Sequence, residues 1–176
     1  MTDGREINHP ATGDQPYRIL FVCLGNICRS PAAENIMNHL LAERGLTDQV
    51  TCDSAGTGGW HEGNPPDLRM QAAALAELNL TMTGSARPLR EADLEEFDLI
   101  LAMDRENYWD ILKRDPQQRY RDKVKMMCDY CRHHSTQEVP DPYYGGPEGF
   151  KTVINLLLDA CGGLIESLQE TGDIRA

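Results

Sequence analysis

A continuous apolar run, Ile19-Leu20-Phe21-Val22, stops at Cys23 and gives way to a short polar stretch ending in Ser30-Pro31, after which residues 32–41 are amphipathic. No other stretch limits the fold as strongly. Four consecutive apolar residues suit a parallel strand that is covered on both faces. Ser30 is placed to cap a helix, and Pro31 to fill its first position, where a missing N–H costs nothing. Ile36, Met37, Leu40 and Leu41 recur at helical spacing, and Gly45 is a natural stop. The chain therefore opens as strand, tight loop, helix.

The same alternation continues. Residues 50–54 read as a weak second strand, and 55–66, rich in Gly and Pro, as loop. Residues 67–78 are helical, with Met70, Ala73, Ala74 and Leu78 inward. A third strand is expected at 98–103, then a helix capped by Asp104 that runs to about Lys113, then a short fourth strand at 123–127. Phe150, Val153, Ile154, Leu157, Leu158, Cys161, Leu164, Ile165 and Leu168 form the apolar stripe of a final helix. Strands alternating with helices predict an α/β single domain: an open, twisted, four-stranded parallel sheet with helices on both faces. The loop between first strand and first helix would then lie at the carboxyl edge of the sheet, where ligands bind in such folds.

Composition narrows the partners. The 176 residues fit one domain with a proper core, and a formal net charge of −11 disfavours nucleic acid and anionic membranes. No stretch approaches the roughly 20 apolar residues of a membrane span. Residues 1–16 are polar, without the core of a signal peptide, and read as a flexible extension before a domain at 17–170 and a tail at 171–176. Six irregularly spaced cysteines do not suggest a disulfide scaffold, so a cytoplasmic setting is expected. The sequence assigns no oligomeric state.

The loop carries chemistry. Successive backbone N–H groups from Leu24 to Ser30, aimed with a helix N-terminus, can donate to the oxygens of a dianionic phosphate. Gly25 permits close backbone approach, and either Gly25 or Asn26 can take a left-handed conformation. Arg29 can fork onto two phosphate oxygens, which lysine cannot. The same donors favour the thiolate form of Cys23, which can then attack phosphorus in line. Ser30 can hydrogen-bond the sulfur and stabilise it when it later leaves.

These residues resemble the low-molecular-weight protein tyrosine phosphatase family. Cys23 to Pro31 matches every fixed position of its hallmark Cys-x-Gly-Asn-x-Cys-Arg-Ser-Pro, and Asp141-Pro142-Tyr143-Tyr144-Gly145 matches a second signature. A third, Ser54-Ala55-Gly56-Thr57 with Trp60, His61, Asp67 and Arg69, stands between them. The resemblance implies a metal- and cofactor-free hydrolase of phosphotyrosine-containing proteins and small aryl phosphates, acting through a phosphocysteine. It implies Cys23 as nucleophile, Arg29 as phosphate ligand and Asp141 as general acid, then base. It implies Asn26 and Ser54, with Ser30, as loop supports. Ile27, Trp60, Tyr143 and Tyr144 would form the substrate pocket, and Cys28 would be the redox partner of Cys23. Animal members carry a histidine that supports the loop where Gly84 stands here, which leaves the support network of this chain open.

Other readings are weaker. Arsenate reductases on this fold need further cysteines after the second helix, and residues 79–97 contain none. Protein arginine phosphatases carry Thr where Ile27 stands. A silent phosphotyrosine-binding module would not need nucleophile, arginine and acid together. Cys128 and Cys131 with His133 and His134 have zinc-like spacing, but adjacent histidines point apart. The acidic group Glu91, Asp93, Glu95 and Glu96 reads as a solvated face.

Overall fold

Successive side chains of a strand point to opposite faces, so an unbroken apolar run feeds two cores at once. In the computed structural model, which describes residues 15–176, β1 spans Tyr17–Cys23 and does this. Ile19, Phe21 and Cys23 enter one apolar cluster, Leu20 and Val22 the other. The remaining strands are β2 (Val50–Gly56), β3 (Leu99–Ala102) and β4 (Val124–Met126), all parallel, in the order β2-β1-β3-β4. The helices are α1 (Arg29–Glu43), α2 (Leu68–Leu78), α3 (Glu91–Glu96), α4 (Arg105–Lys113) and α5 (Pro147–Glu170). Helices α1, α2 and α5 cover one face, and α3 and α4 the other. The expected fold class is the observed one. Residues 1–14 of the expected extension lie outside the described residues.

Local chemistry explains most boundaries. Asp67 caps α2 by accepting from the Arg69 N–H, and Asp104 caps α4 by accepting from the Asn107 N–H. Strand β2 runs past its expected end because Ala55 and Gly56 pair with Val22 and Cys23. Three expectations need correction. Ser30 does not cap α1 and Pro31 is its third residue, not its first: the helix starts at Arg29, its N-cap position is Cys28 without a side-chain bond, and Ser30 faces the loop instead. The acidic group is not simply a solvated face. It forms α3, and Asp93 is buried, where it accepts from the Arg90 N–H and pairs with Arg87. A charge can be buried there because a guanidinium faces it.

Helix α5 supplies eleven of the buried residues and crosses both α1 and α2. Gly163 lies in its middle, where glycine is normally unfavourable. A Cβ built there would stand 1.9 Å from the carbonyl oxygen of Tyr130, so the short helical turn Met127–Tyr130 packs directly on the α5 backbone. Gly163→Ala is expected to force the two apart and to cost about 3 kcal/mol, a fall of about 9 °C in Tm by thermal melting. A Tm equal to that of the native chain would show that the approach is not tight. After α5 the chain returns to the core, where Ile174 is buried and its N–H donates to the Leu168 carbonyl.

Candidate active site

Strand order reverses between β1 and β3: the chain leaves β1 for β2 on one side and returns to β3 on the other. A crevice opens at such a point beyond the carboxyl ends of the strands. The Cys23–Arg29 loop leaves the end of β1, and Asp104 follows β3 directly beside it. Arg29 is buried at this junction. Its Nη1 donates to Asp104 Oδ2 at 2.5 Å and to the Val139 carbonyl at 3.0 Å. Burial works against its charge, but Cys23 and the Asp104 carboxylate outweigh that and hold the guanidinium above its ordinary range. Its Nη2 lies 3.7 Å from Asp141 Oδ2.

The loop is held from behind. Asn26, rather than Gly25, takes the left-handed conformation, with φ of 56°. Its side-chain amide is fully used: Nδ2 donates to Ser30 Oγ at 2.8 Å and Ser54 Oγ at 2.9 Å, while Oδ1 accepts from the Arg87 N–H at 2.9 Å. Ser30 Oγ accepts from Asn26, so its own proton is free for Cys23 Sγ at 2.9 Å. The Asn26 N–H also points to that sulfur, at 3.3 Å. Ser54 passes its proton on to Glu34 Oε1 at 2.6 Å, and burial raises the Glu34 carboxyl despite that bond.

Arg87, three residues after Gly84, is among the residues that hold the loop. This residue supports Asn26 through its backbone, and its guanidinium is clamped between Asp53 at the β2 edge and the buried Asp93 of α3. Two carboxylates on separate elements thus fix the segment after α2 against the loop.

A cleft of about 380 Å³ opens in front of Cys23. It is lined by Leu24, Gly25, Ile27, Cys28 and Arg29 of the loop and by Trp60, His61, Asp141, Tyr143 and Tyr144, with the His61 and Tyr143 rings 6.3 Å apart. His61 lies close over the loop: a Cβ at position 25 would stand 3.1 Å from its ring. Tyr143 packs edge-on against Tyr144, and Tyr144 is the outer rim, 94% exposed. Asp141 accepts from the Tyr143 N–H. Cys28 is buried, and burial together with the Asp67 charge pushes its thiol up to about 12. Ser54 stands behind the loop and does not line the cleft.

The expected site residues thus gather at one sheet edge, and the structure adds others. Asp104 was expected only as a cap, and Asp-x-x-Asn after a strand gives no hint of Arg29. Glu34 and the Val139 carbonyl carried no local signal at all. His61 belonged to a recognised motif but had no assigned role. Cys128 and Cys131 sit in a single turn near α5, while Asp159 accepts from the N–H groups of Arg132, His133 and His134 and from the His134 ring. Among the described residues no three His, Cys, Asp or Glu side chains converge on a metal position.

Comparison with known proteins places this open parallel sheet, with a thiol and a buried arginine at its switch point, among the phosphatase hydrolases. The family model for low molecular weight phosphotyrosine protein phosphatases matches residues 18–173. A Synechocystis protein named for this family is 55% identical over 86% of this chain and 96% of its own length. Bacillus subtilis YfkJ, a low molecular weight protein-tyrosine-phosphatase, is 42% identical over 86% of this chain and 96% of its own. Among solved structures, a protein tyrosine phosphatase of Entamoeba histolytica with Hepes in its active site superposes with a TM-score of 0.85 at 46% identity, covering 89% of this chain and 99% of that one. The chain belongs to the low molecular weight phosphotyrosine protein phosphatase family.

Proposed function

We propose that the chain hydrolyses phosphotyrosine in proteins, and small aryl phosphates, through a phosphocysteine on Cys23. The observation that carries this is the meeting of Cys23, Arg29 and Asp141 in one cleft whose aromatic walls fit a flat ring. The phosphate sits on the loop N–H groups from Leu24 to Ser30 and on Arg29. The Cys23 thiolate attacks phosphorus, the P–O bond to the phenol breaks, and Asp141 gives its proton to the leaving oxygen. Asp141, now a carboxylate, takes a proton from water as that water attacks the phosphocysteine. The sulfur leaves as thiolate, stabilised by the Ser30 hydroxyl and the Asn26 N–H. Inorganic phosphate departs and Asp141 is again protonated.

As general acid, Asp141 must hold a proton when the phenol leaves. Asp141→Asn removes that donor and is expected to lower kcat about 10²–10³-fold on phenyl phosphate. Steady-state rates of both forms on phenyl phosphate test this. A loss of less than about 10-fold would remove Asp141 from the role of acid.

Oxidation adds a second proposed state. A peroxide converts the Cys23 thiolate to a sulfenic acid, releasing hydroxide, and the Cys28 thiol then displaces that oxygen as water to leave a Cys23–Cys28 disulfide. The neutral Cys28 thiol does not compete for phosphate while Cys23 is reduced. A cytoplasmic setting agrees with six unpaired cysteines. Among the described residues no helix is long and apolar enough to cross a membrane. Substrates are phosphotyrosine-containing proteins rather than nucleic acids or lipid surfaces, in keeping with the net charge of −11.

A further inference from the structure

The acid loop and the phosphate loop come from distant parts of the chain, yet one side chain spans them. Arg69 stands in the first turn of α2. Its Nε and Nη2 are forked by Asp67, at 3.1 and 2.9 Å, and Asp67 is tied to the phosphate loop because its N–H donates to the Ile27 carbonyl at 2.8 Å. In the other direction Arg69 Nη1 donates to the Tyr143 carbonyl at 2.9 Å. The guanidinium also lies over the Tyr143 ring at 5.2 Å and the Phe150 ring, at the start of α5, at 4.7 Å. The Tyr143 N–H in turn donates to the Asp141 carboxylate. A continuous path therefore runs from Ile27 through Asp67, Arg69 and Tyr143 to Asp141.

The geometry points to Arg69 as a positioning residue: clamped by Asp67, it holds the Asp141 loop at its working distance from the Cys23 loop. The inference rests on the reading of Asp141 as general acid. Arg69 does not line the cleft, so it acts on small aryl esters through the Tyr143–Asp141 segment that it holds. Its planar fork matters, because one end must grip a carboxylate and the other a carbonyl while the face stacks on rings, and lysine cannot do all three. Losing it lets Asp141 drift, and proton transfer is steeply sensitive to such misplacement. Proton donation matters most for esters of weakly acidic phenols and least for esters whose phenolate leaves unaided.

The test compares phenyl phosphate with 2,4-dinitrophenyl phosphate. Arg69→Gln is expected to lower kcat/KM on phenyl phosphate about 10-fold or more and to leave the dinitrophenyl ester within about 2-fold. In an Asp141→Asn background the same change should add no further loss on phenyl phosphate, because the group it positions is gone. Arg69→Lys should behave as Arg69→Gln does. Equal losses on both esters, additivity with Asp141→Asn, or full rescue by lysine would each overturn the clasp. If Asp141→Asn alone fails to separate the two esters, the reading of the acid itself falls. If it separates them and Arg69→Gln does not, only the clasp falls. Thermal melting of each variant distinguishes loss of fold from loss of positioning.

Discussion

Cys23→Ser is expected to lower turnover of para-nitrophenyl phosphate by at least about 10⁴-fold while leaving the anion loop able to hold inorganic phosphate. The reason lies in what the loop does and does not depend on. Its shape is set by the Asn26 amide, spanning Ser30, Ser54 and the Arg87 backbone, and none of those bonds involves the sulfur. The change also keeps a small group in front of Ser30 and the Asn26 N–H. Chemistry suffers instead. A serine hydroxyl at neutral pH is not ionised, and no base stands behind position 23: Ser30 Oγ and the Asn26 N–H both point donors toward it. Phosphate should therefore still raise the Tm of the variant by mass action, as is expected of the native chain. Acid quench during turnover should trap phosphate on the peptide containing Cys23 in the native chain only. Residual turnover within 100-fold of native, or no trapped adduct, would mean that the sulfur is not the nucleophile.

The parts of this design that could be read in advance are those in which local pattern and tertiary role agree. Ile19 to Val22 is apolar because β1 is central and covered on both faces, so its burial was written in four adjacent residues. The stripe from Phe150 to Leu168 was equally plain, since one helix face carries it. Ser30 misled for a physical reason. A serine before a proline at the start of a helix has the same appearance whether its hydroxyl caps the helix or turns back to a sulfur seven residues earlier. Asp104 was correctly placed as a cap, and that role fully accounted for it, which hid its second partner 75 residues away. Asp93 looked like one acid among four because its burial depends on Arg87, whose own orientation needs Asp53 from β2. A charge paired through three elements leaves no mark in spacing.

Arg29 offers the second large effect. Arg29→Lys is expected to lower kcat/KM about 10³-fold and to weaken inhibition by inorganic phosphate as well. The guanidinium is already anchored through Nη1 by Asp104 and the Val139 carbonyl, which leaves Nη2, 3.7 Å from Asp141, at the cleft. An ammonium drawn to Asp104 has no second edge to present. Arg29→Ala should be worse in a different way: it leaves the Asp104 carboxylate, with a side chain only 19% exposed, facing no cation, and should destabilise the fold by about 3 kcal/mol. Asp104→Asn separates the two duties of that residue. Asparagine caps a helix as well as aspartate does, so α4 should persist and Tm should move little. The charge that orients Arg29 is lost, and kcat/KM should fall about 10-fold. Steady-state rates, phosphate inhibition and thermal melts on the three variants check the ordering. A lysine variant within 10-fold of native would show that charge alone suffices at position 29. An asparagine variant that unfolds would show that Asp104 serves the fold before the site.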